Sequence, residues 1–569
     1  MRESKKVILF GAGTYGKKAL DYFGKENVFS FVDNNKALVG TFRNGVPIIS
    51  FEQLREIHSA YRIVISTGTE MLFVIGAQLE EAGICNYEIF LKILADNSSS
   101  DSRVSQPQSL PKAPCTEWGG TAKSVLMVAY YFPPLSGSGV FRSIKFAKYL
   151  PQFGWKTTAV STDQPTLEMN YRDENLLDEI PEGTEVIRVP DGIGTMKKAS
   201  FSDDEKQELY LLLKSVLRHS KEGLDLLESF LRTEIGRAHL LTFPCAALLW
   251  SRKALQRIEE TVNLSKFQVI YTTAGPYSAH LIGFLLKQKY GVPWVADYRD
   301  PWTGNPYKSY CADNPQHRLL FELESILLKY ADCNLTISEP FVESYVTRFS
   351  LLRESIKSIT NGYDEEDFAA LRFSEMQPDR FTITYSGILY SENRSILPVL
   401  KAIQELAAEK ELELENVRLR IVGRESDACG LENVEAYGLR TVVEQVGYVP
   451  HREALQENCA ANMLLLLVGD SDQNKATYTG KFFDYLRSGR PILALAPVDG
   501  VVARTLRETG HGEAYRSTDL AGIKTMILRE YRKWRRGEKR ERLHSPLIER
   551  FERKHLTGQL AAILESISR

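Results

Sequence analysis

The stretch Val125–Leu150, VLMVAYYFPPLSGSGVFRSIKFAKYL, passes from an aliphatic run through a glycine turn into an amphipathic helical pattern. A short apolar run ending in a turn marks a strand buried on both faces of a parallel sheet. Gly137, Ser138 and Gly139 fall where that strand end becomes the helix. The first amides of a helix lack partners, so this turn suits a phosphate or a developing anion, although a Gly-Ser-Gly turn by itself is more often only a turn.

Two other places repeat the pattern, VILFGAG from Val7 and ITYSGILY from Ile383. Further aliphatic runs near residues 31, 64, 158, 269, 294, 333, 420, 463 and 491 alternate with helical stretches. Strand and helix in alternation predict an α/β chain of doubly wound parallel sheets, in three Rossmann-like units. Leu209, Leu212, Leu213, Val216 and Leu217 form one stripe between Asp204 and Lys221, which predicts a helix packed on the second unit.

At about 150 residues per domain, 569 residues predict about four domains, with two to four all compatible. Residues 96–122 hold six serines and three prolines and few aliphatic side chains, the composition of a linker. Hydrophobic residues at 43% and charged residues at 25% exclude a disordered chain. A net charge of -2 gives no electrostatic reason to expect nucleic acid. Arg529–Arg542 is locally basic, eight Lys or Arg against three Glu, which reads as a solvated helix or a face for anionic lipid. Seven scattered cysteines without a C-x-x-C pair argue against disulfides or zinc. Apolar runs too short for a signal peptide or a membrane span predict a cytoplasmic protein, at most peripheral on the inner face of a membrane.

In the first unit, Gly11, Gly13 and Gly16 stand between a strand and a helix, and Asp33 ends the next strand. This is the context of a dinucleotide fingerprint, with glycine amides on a diphosphate and Asp33 on a ribose hydroxyl. A scaffold that merely keeps the fold is the competing reading. ILFGAGTYGKKALDYF, FVDNN and GVPIIS resemble the small NDP-sugar-binding domain at the N-terminus of bacterial sugar acyltransferases. The hexapeptide repeats that follow that domain in those enzymes are missing, so the resemblance implies sugar-nucleotide handling without acyl transfer.

Further on, TYTGKFFDYL turns at Thr479, Gly480 and Lys481 into a helix, offering amides and a lysine to an anion. Asp484 follows one turn later on the same face. VADYRDPW puts Asp297, Arg299 and Asp300 at the carboxyl end of a strand, where open sheets bind ligands. The two carboxylates suit an acceptor hydroxyl or a donor sugar, with a salt bridge to Arg299 as the plain alternative. His280, four residues after Pro276, reads as structural.

YYFPPLSGSGVFRSIKFAKYLPQFGW, PYSAHLIG, VADYRDPW, ITNGYDEEDF and GKFFDYLRSGRPILALAP occur in that order. Together they resemble the bacterial retaining glycosyltransferases of family 4, with the GT-B fold of two facing Rossmann-like lobes. The resemblance implies an acceptor lobe at 123–368, a nucleotide-sugar donor lobe at 369–547 and a C-terminal helix at 548–569 returning to the first lobe, behind the 1–95 unit and its linker. Asn361 and Gly362 would mark the crossing between lobes. It implies a catalytic set of Asp297, Asp300, Arg394 and Lys481. Donor binding falls to Gly137, Ser138, Gly139, Gly387, Thr479, Gly480 and Asp484, with Tyr448 and Val449 reading the base through backbone.

The chain departs from the family at two points: Ala476 stands where the first of two glutamates is usual, and Ile388 where an arginine follows Gly387. The expectation is transfer of a sugar from a nucleoside diphosphate sugar, UDP ahead of GDP, with retention, onto a surface polysaccharide or lipid-linked glycan. No metal or resident cofactor is called for, because cations and amides around the diphosphate stabilise its departure. The alternative is a weak or inactive sugar-nucleotide-binding scaffold. An NAD-dependent oxidoreductase built on GAGTYG is a weaker third reading, since its unit is too small to carry a substrate domain.

Overall fold

The computed structural model describes residues 6–568 except 36–37, 68–74, 76–77, 80–81, 83, 85–86, 91–122, 164–170, 191–202, 233–242, 244–246, 307–313, 370, 372, 374–377, 390–393, 424–433 and 540–541. The serine-proline segment 96–122 therefore lies outside the described residues.

Three aliphatic runs become the central strands of three sheets. In the first sheet, β1 (Val7–Phe10) lies between β2 (Val28–Val32) and β5 (Arg62–Ile65), with β4 (Val46–Ile49) and β6 (Tyr87–Ile89) outside them, all parallel. A short strand, β3 (Phe42–Arg43), pairs antiparallel at the edge.

The second sheet starts from β7 (Lys123–Val128), whose chain end makes a small antiparallel pair, β8 (Leu135–Ser136) with β10 (Tyr171–Arg172). Beside β7 on one side run β9 (Trp155–Thr162) and β11 (Glu185–Val189). On the other side are β12 (Val269–Thr273), β13 (Trp294–Asp297), β14 (Cys333–Thr336) and β15 (Ile356–Ser358). The third sheet is built on β16 (Phe381–Ser386), flanked by β17 (Val417–Val422) and β18 (Val443–Gly447). Opposite them lie β19 (Met463–Leu467), β20 (Ile492–Leu495) and β21 (Gly512–Tyr515).

The spatial orders are β11-β9-β7-β12-β13-β14-β15 and β18-β17-β16-β19-β20-β21. In each large sheet the first strand sits in the middle and the chain winds outward one way, then the other. That order opens a crevice at the carboxyl ends of β7 and β12, and of β16 and β19. Core side chains explain the strands: Val125–Val128 and Met463–Leu467 are buried throughout, as strands covered on both faces must be. The stripe Leu209, Leu212, Leu213, Val216 and Leu217 is buried in the second sheet's core on the helix Asp203–Leu217, as its spacing predicts. The last helix, Arg553–Ile567, buries Leu556, Leu560 and Leu564 against the other face of that sheet.

The carboxyl edges of the two large sheets face one another. Phe141, in the helix after β7, packs against His451, which follows β18, with ring centroids 4.3 Å apart and planes tilted by 41°. Ser338, just past β14, donates from Oγ to the Ala476 carbonyl beyond β19 at 2.7 Å. At the crossing, Asp364 and Asp367 meet Lys145 of the helix Ser138–Tyr149 at 2.6 and 2.8 Å.

Candidate active site between two facing sheets

On the third sheet, the chain leaving β16 turns at Gly387 with φ +124°, and the chain leaving β17 turns at Gly423 with φ +141°. A Cβ on Gly423 would lie 2.3 Å from the Gly387 carbonyl oxygen, and one on Gly387 would lie 2.3 Å from Lys481 Nζ. Backbone conformation favours glycine at both positions, and at Gly423 the fixed Gly387 carbonyl leaves no room for a side chain. Lys481 opens the helix Lys481–Ser488, and its Nζ donates to the Tyr385 hydroxyl at 2.9 Å and sits 4.0 Å from that ring's centroid. The Tyr385 hydroxyl donates onward to the Ile388 carbonyl at 2.6 Å. Tyr485 ties the same helix to the strand by accepting from the Ser386 amide at 2.8 Å.

Burial, and then the nearby charge of Arg394, push the Lys481 ammonium down to about 7. Burial pushes the Asp484 carboxyl up to about 6, with His451 opposing and Asp367 adding to the rise. Lys481 and Asp484 both keep a part-exposed face, so the enclosure is by protein on the remaining sides. The hydroxyls of Thr477 and Thr479 are buried with no hydrogen-bond partner among the described residues. Tyr448 is exposed and Val449 half-buried in the loop after β18. The structure brings Lys481, Arg394 and Gly387 together at the crevice between β16 and β19, with Thr479, Gly480 and Asp484 on the adjoining turn and helix.

On the second sheet, Gly137 has φ +122° and precedes the helix Ser138–Tyr149, whose first turn opens to free space at Gly137. Asp297 does not face this space. It is fully buried, with Oδ2 at 2.6 Å from Arg142 Nε and Oδ1 at 3.1 Å from Arg142 Nη2. Tyr271 hydroxyl and the Arg299 amide also donate to it. The expected hydroxyl-orienting role for Asp297 is therefore corrected to a structural one, since its acceptor positions are filled. Arg142, which the motifs did not single out, also donates to the carbonyls of Ile359 and Thr360 at 3.0 Å each, tying the helix to the crossing. Asp300 is the carboxylate that reaches the surface, 43% exposed and 3.2 Å from Arg299 Nε.

His280 is fully buried, bonded to Thr272 Oγ1 at 2.7 Å, and burial pushes it down to about 3, so it stays neutral in the core. His451 escaped the sequence reading. Burial opposes its protonation, but Asp367 and Asp484 outweigh that and raise it. A lone histidine after a Pro carries no motif, and its contacts with Phe141 and Asp367 place it between the lobes. Glu179, Asp364 and Asp367 converge closely enough for a cation, and the Lys145 ammonium fills that place, 2.5 Å from Glu179.

In the first sheet, Gly11 has φ +112°, and a Cβ on Gly16 would lie 2.1 Å from the Gly11 carbonyl oxygen. Gly13 has open space around it. Asp33 accepts from the Ala12 amide at 3.0 Å and the Asn35 amide at 2.9 Å, so its carboxylate closes its own glycine turn. In the basic stretch, Arg529, Arg532, Arg535 and Arg536 pair with Glu513, Glu411, Glu413 and Glu538. No helix among the described residues is long and apolar enough to cross a membrane.

Two parallel sheets of Rossmann order, meeting at their carboxyl edges with glycine turns on both walls, define the GT-B class. Residues 223–362 match the glycosyl transferase 4-like domain family, which makes the protein a transferase of the glycosyltransferase kind. No curated protein matches the chain. Among solved structures, it is similar to sucrose-phosphate synthase from Thermosynechococcus elongatus, at 14% identity, 78% of this chain, 99% of that chain and TM-score 0.49. A glycosyltransferase from Rickettsia africae gives 12%, 78%, 98% and 0.49. WaaG, a glycosyltransferase involved in lipopolysaccharide biosynthesis, gives 11%, 77%, 99% and 0.45. At these scores the likenesses add nothing to the fold read from the chain's own sheets.

Proposed function

We propose that the protein transfers a sugar from a nucleoside diphosphate sugar, with retention, to a glycan acceptor of a surface polysaccharide. The observation that carries this reading is Lys481, held with Nζ against the Gly387 turn and within the influence of Arg394 at the third sheet's crevice. Two preorganised cations in a low-dielectric cleft favour the charge that builds on a departing diphosphate. Lys481 reaches the place left without a cation by Ile388, which supports an active enzyme over a scaffold. Asp484 holds the ribose, and the Thr477 and Thr479 hydroxyls supply further contacts to the nucleotide sugar, UDP before GDP.

On the facing wall, the Gly137–Gly139 turn completes the donor site and Asp300 addresses the acceptor hydroxyl. A lipid-linked acceptor would bring the protein to the inner face of a membrane through that substrate rather than through residues 529–542. The first unit takes a sugar nucleotide at its Gly11–Gly16 turn, or serves as architecture.

Incubation with a panel of UDP- and GDP-sugars and acceptor extracts tests the reading. Nucleoside diphosphate release, a product with retained anomeric configuration, and a loss of about a hundredfold or more in Lys481→Ala are expected. Nucleotide binding with no turnover on any acceptor extract would overturn it.

A further inference from the structure

Arg299 follows β13, and its guanidinium reaches back into the crevice of the second sheet. A Cβ on Gly139, after β7, would lie 2.9 Å from Nη1, and one on Gly275, after β12, would lie 3.0 Å from Nη2. The two turns that bound the sheet's switch point therefore leave room for this one side chain. Its stem is fixed: Nε pairs with Asp300 at 3.2 Å and its amide donates to Asp297 at 3.2 Å. Among the described residues, Nη1 and Nη2 have no hydrogen-bond partner, and the side chain is only 16% exposed. Asp297 does not claim them, because Arg142 neutralises it.

A guanidinium with its Nε satisfied and its far edge open presents two parallel donors, the geometry that matches one phosphate or carboxylate. The wall beside it is rigid and aromatic. Tyr277 stacks on Trp302 with centroids 4.9 Å apart and planes 2° from parallel, and its hydroxyl donates to the Pro301 carbonyl at 2.8 Å. Lys481 and Arg394 stand on the third sheet for the donor diphosphate, whereas Arg299 lies on the second sheet's wall across the cleft.

We propose that Arg299 binds an oxyanion carried by the acceptor, a phosphate or a carboxylate, and so makes an anionic glycan the preferred substrate. The proposal rests on the glycosyltransferase reading above. Open sheets bind their ligands at such a switch point, and the two glycine turns make this one fit an arginine fork.

Calorimetric titration of inorganic phosphate and of acetate, each with and without saturating UDP or GDP, tests it on the full chain. Wild type is expected to bind one of the two anions, which separates a phosphate from a carboxylate acceptor. Arg299→Lys is expected to weaken that binding severalfold and Arg299→Gln at least tenfold, while the nucleotide Kd changes less than twofold. Thermal melts of all three proteins show that the fold is kept, and Arg299→Lys remains informative if Arg299→Gln is unstable. Anion binding unchanged in both variants, or no anion binding by wild type, would overturn the proposal. A tenfold loss of nucleotide affinity in Arg299→Gln would also overturn it, by assigning Arg299 to the donor. Failure of wild type to bind any nucleotide would instead count against the glycosyltransferase reading, and the titration without nucleotide would still decide the role of Arg299.

Discussion

Arg142 Nε lies 2.6 Å from Asp297 Oδ2, and neither side chain is exposed. Two charges taken out of water are tolerated only as a pair, and removing one leaves the other uncompensated, at about 3–5 kcal/mol. Asp297→Asn and Arg142→Met are each expected to lower the free energy of unfolding, read from urea titration, by that order. A double replacement by apolar residues should recover much of the loss. If Asp297→Asn kept full stability and lost only turnover, the structural role would be wrong.

Gly387 and Gly423 give a paired test of the donor wall. Alanine in this sparsely populated backbone region costs about 1–3 kcal/mol. At Gly423 its Cβ also meets the immovable Gly387 carbonyl at 2.3 Å, whereas at Gly387 it meets the flexible end of Lys481. Gly423→Ala should therefore be the less stable protein by thermal melting. Gly387→Ala should fold but bind UDP on the order of tenfold more weakly, the loss expected for one charge-assisted hydrogen bond.

Nucleotide affinity should depend on pH in a bell. Lys481 is protonated below about 7 and Asp484 is ionised above about 6. A diphosphate wants the ammonium and a ribose hydroxyl wants the carboxylate, so binding is strongest between these values and falls on both sides. Lys481→Arg should flatten the alkaline limb in titrations from pH 5 to 9. An alkaline limb that survives this change would assign it to another group.

Asp484 also carries a stability cost. Its folded value, about 6, lies above the ordinary value of 3.8, so folding favours the protonated form. Stability is lost as pH rises from the unfolded value through the folded one, by about 1.4 kcal/mol per unit and at most about 3 kcal/mol at pH 7. Asp484→Asn is expected to raise the melting temperature at pH 7.5, with little gain at pH 4, while weakening nucleotide binding. A lower melting temperature at pH 7.5 would contradict the assigned environment.

Much of the fold was legible because buried parallel strands have a local signature. VILFGAG, VLMVAYYFPP and ITYSGILY each became a central strand, and the stripe from Leu209 to Leu217 became the buried face of a helix. Glycines at 11, 137 and 387 were readable as turns for the same reason, since each is dictated by its own backbone. The helix that carries Lys481 and Asp484 was readable from the glycine turn before it.

What is decided across distance was not legible. Asp297 and Asp300 stand three residues apart on one strand end, and only the arrival of Arg142, 155 residues earlier in the chain, buries the first and leaves the second to the cleft. Arg529, Arg532 and Arg535 looked free in the sequence, yet Glu513, Glu411 and Glu413 from elsewhere in the third sheet's domain pair with them. Arg299 gains its open fork from two glycines on other strands. Local backbone preference and burial pattern are written along the chain, so sequence alone determined three Rossmann-like units and the place of their turns. Electrostatic pairing and desolvation depend on which distant residues share a volume, so only tertiary structure decided which of the charged residues hold the protein together and which remain for a ligand.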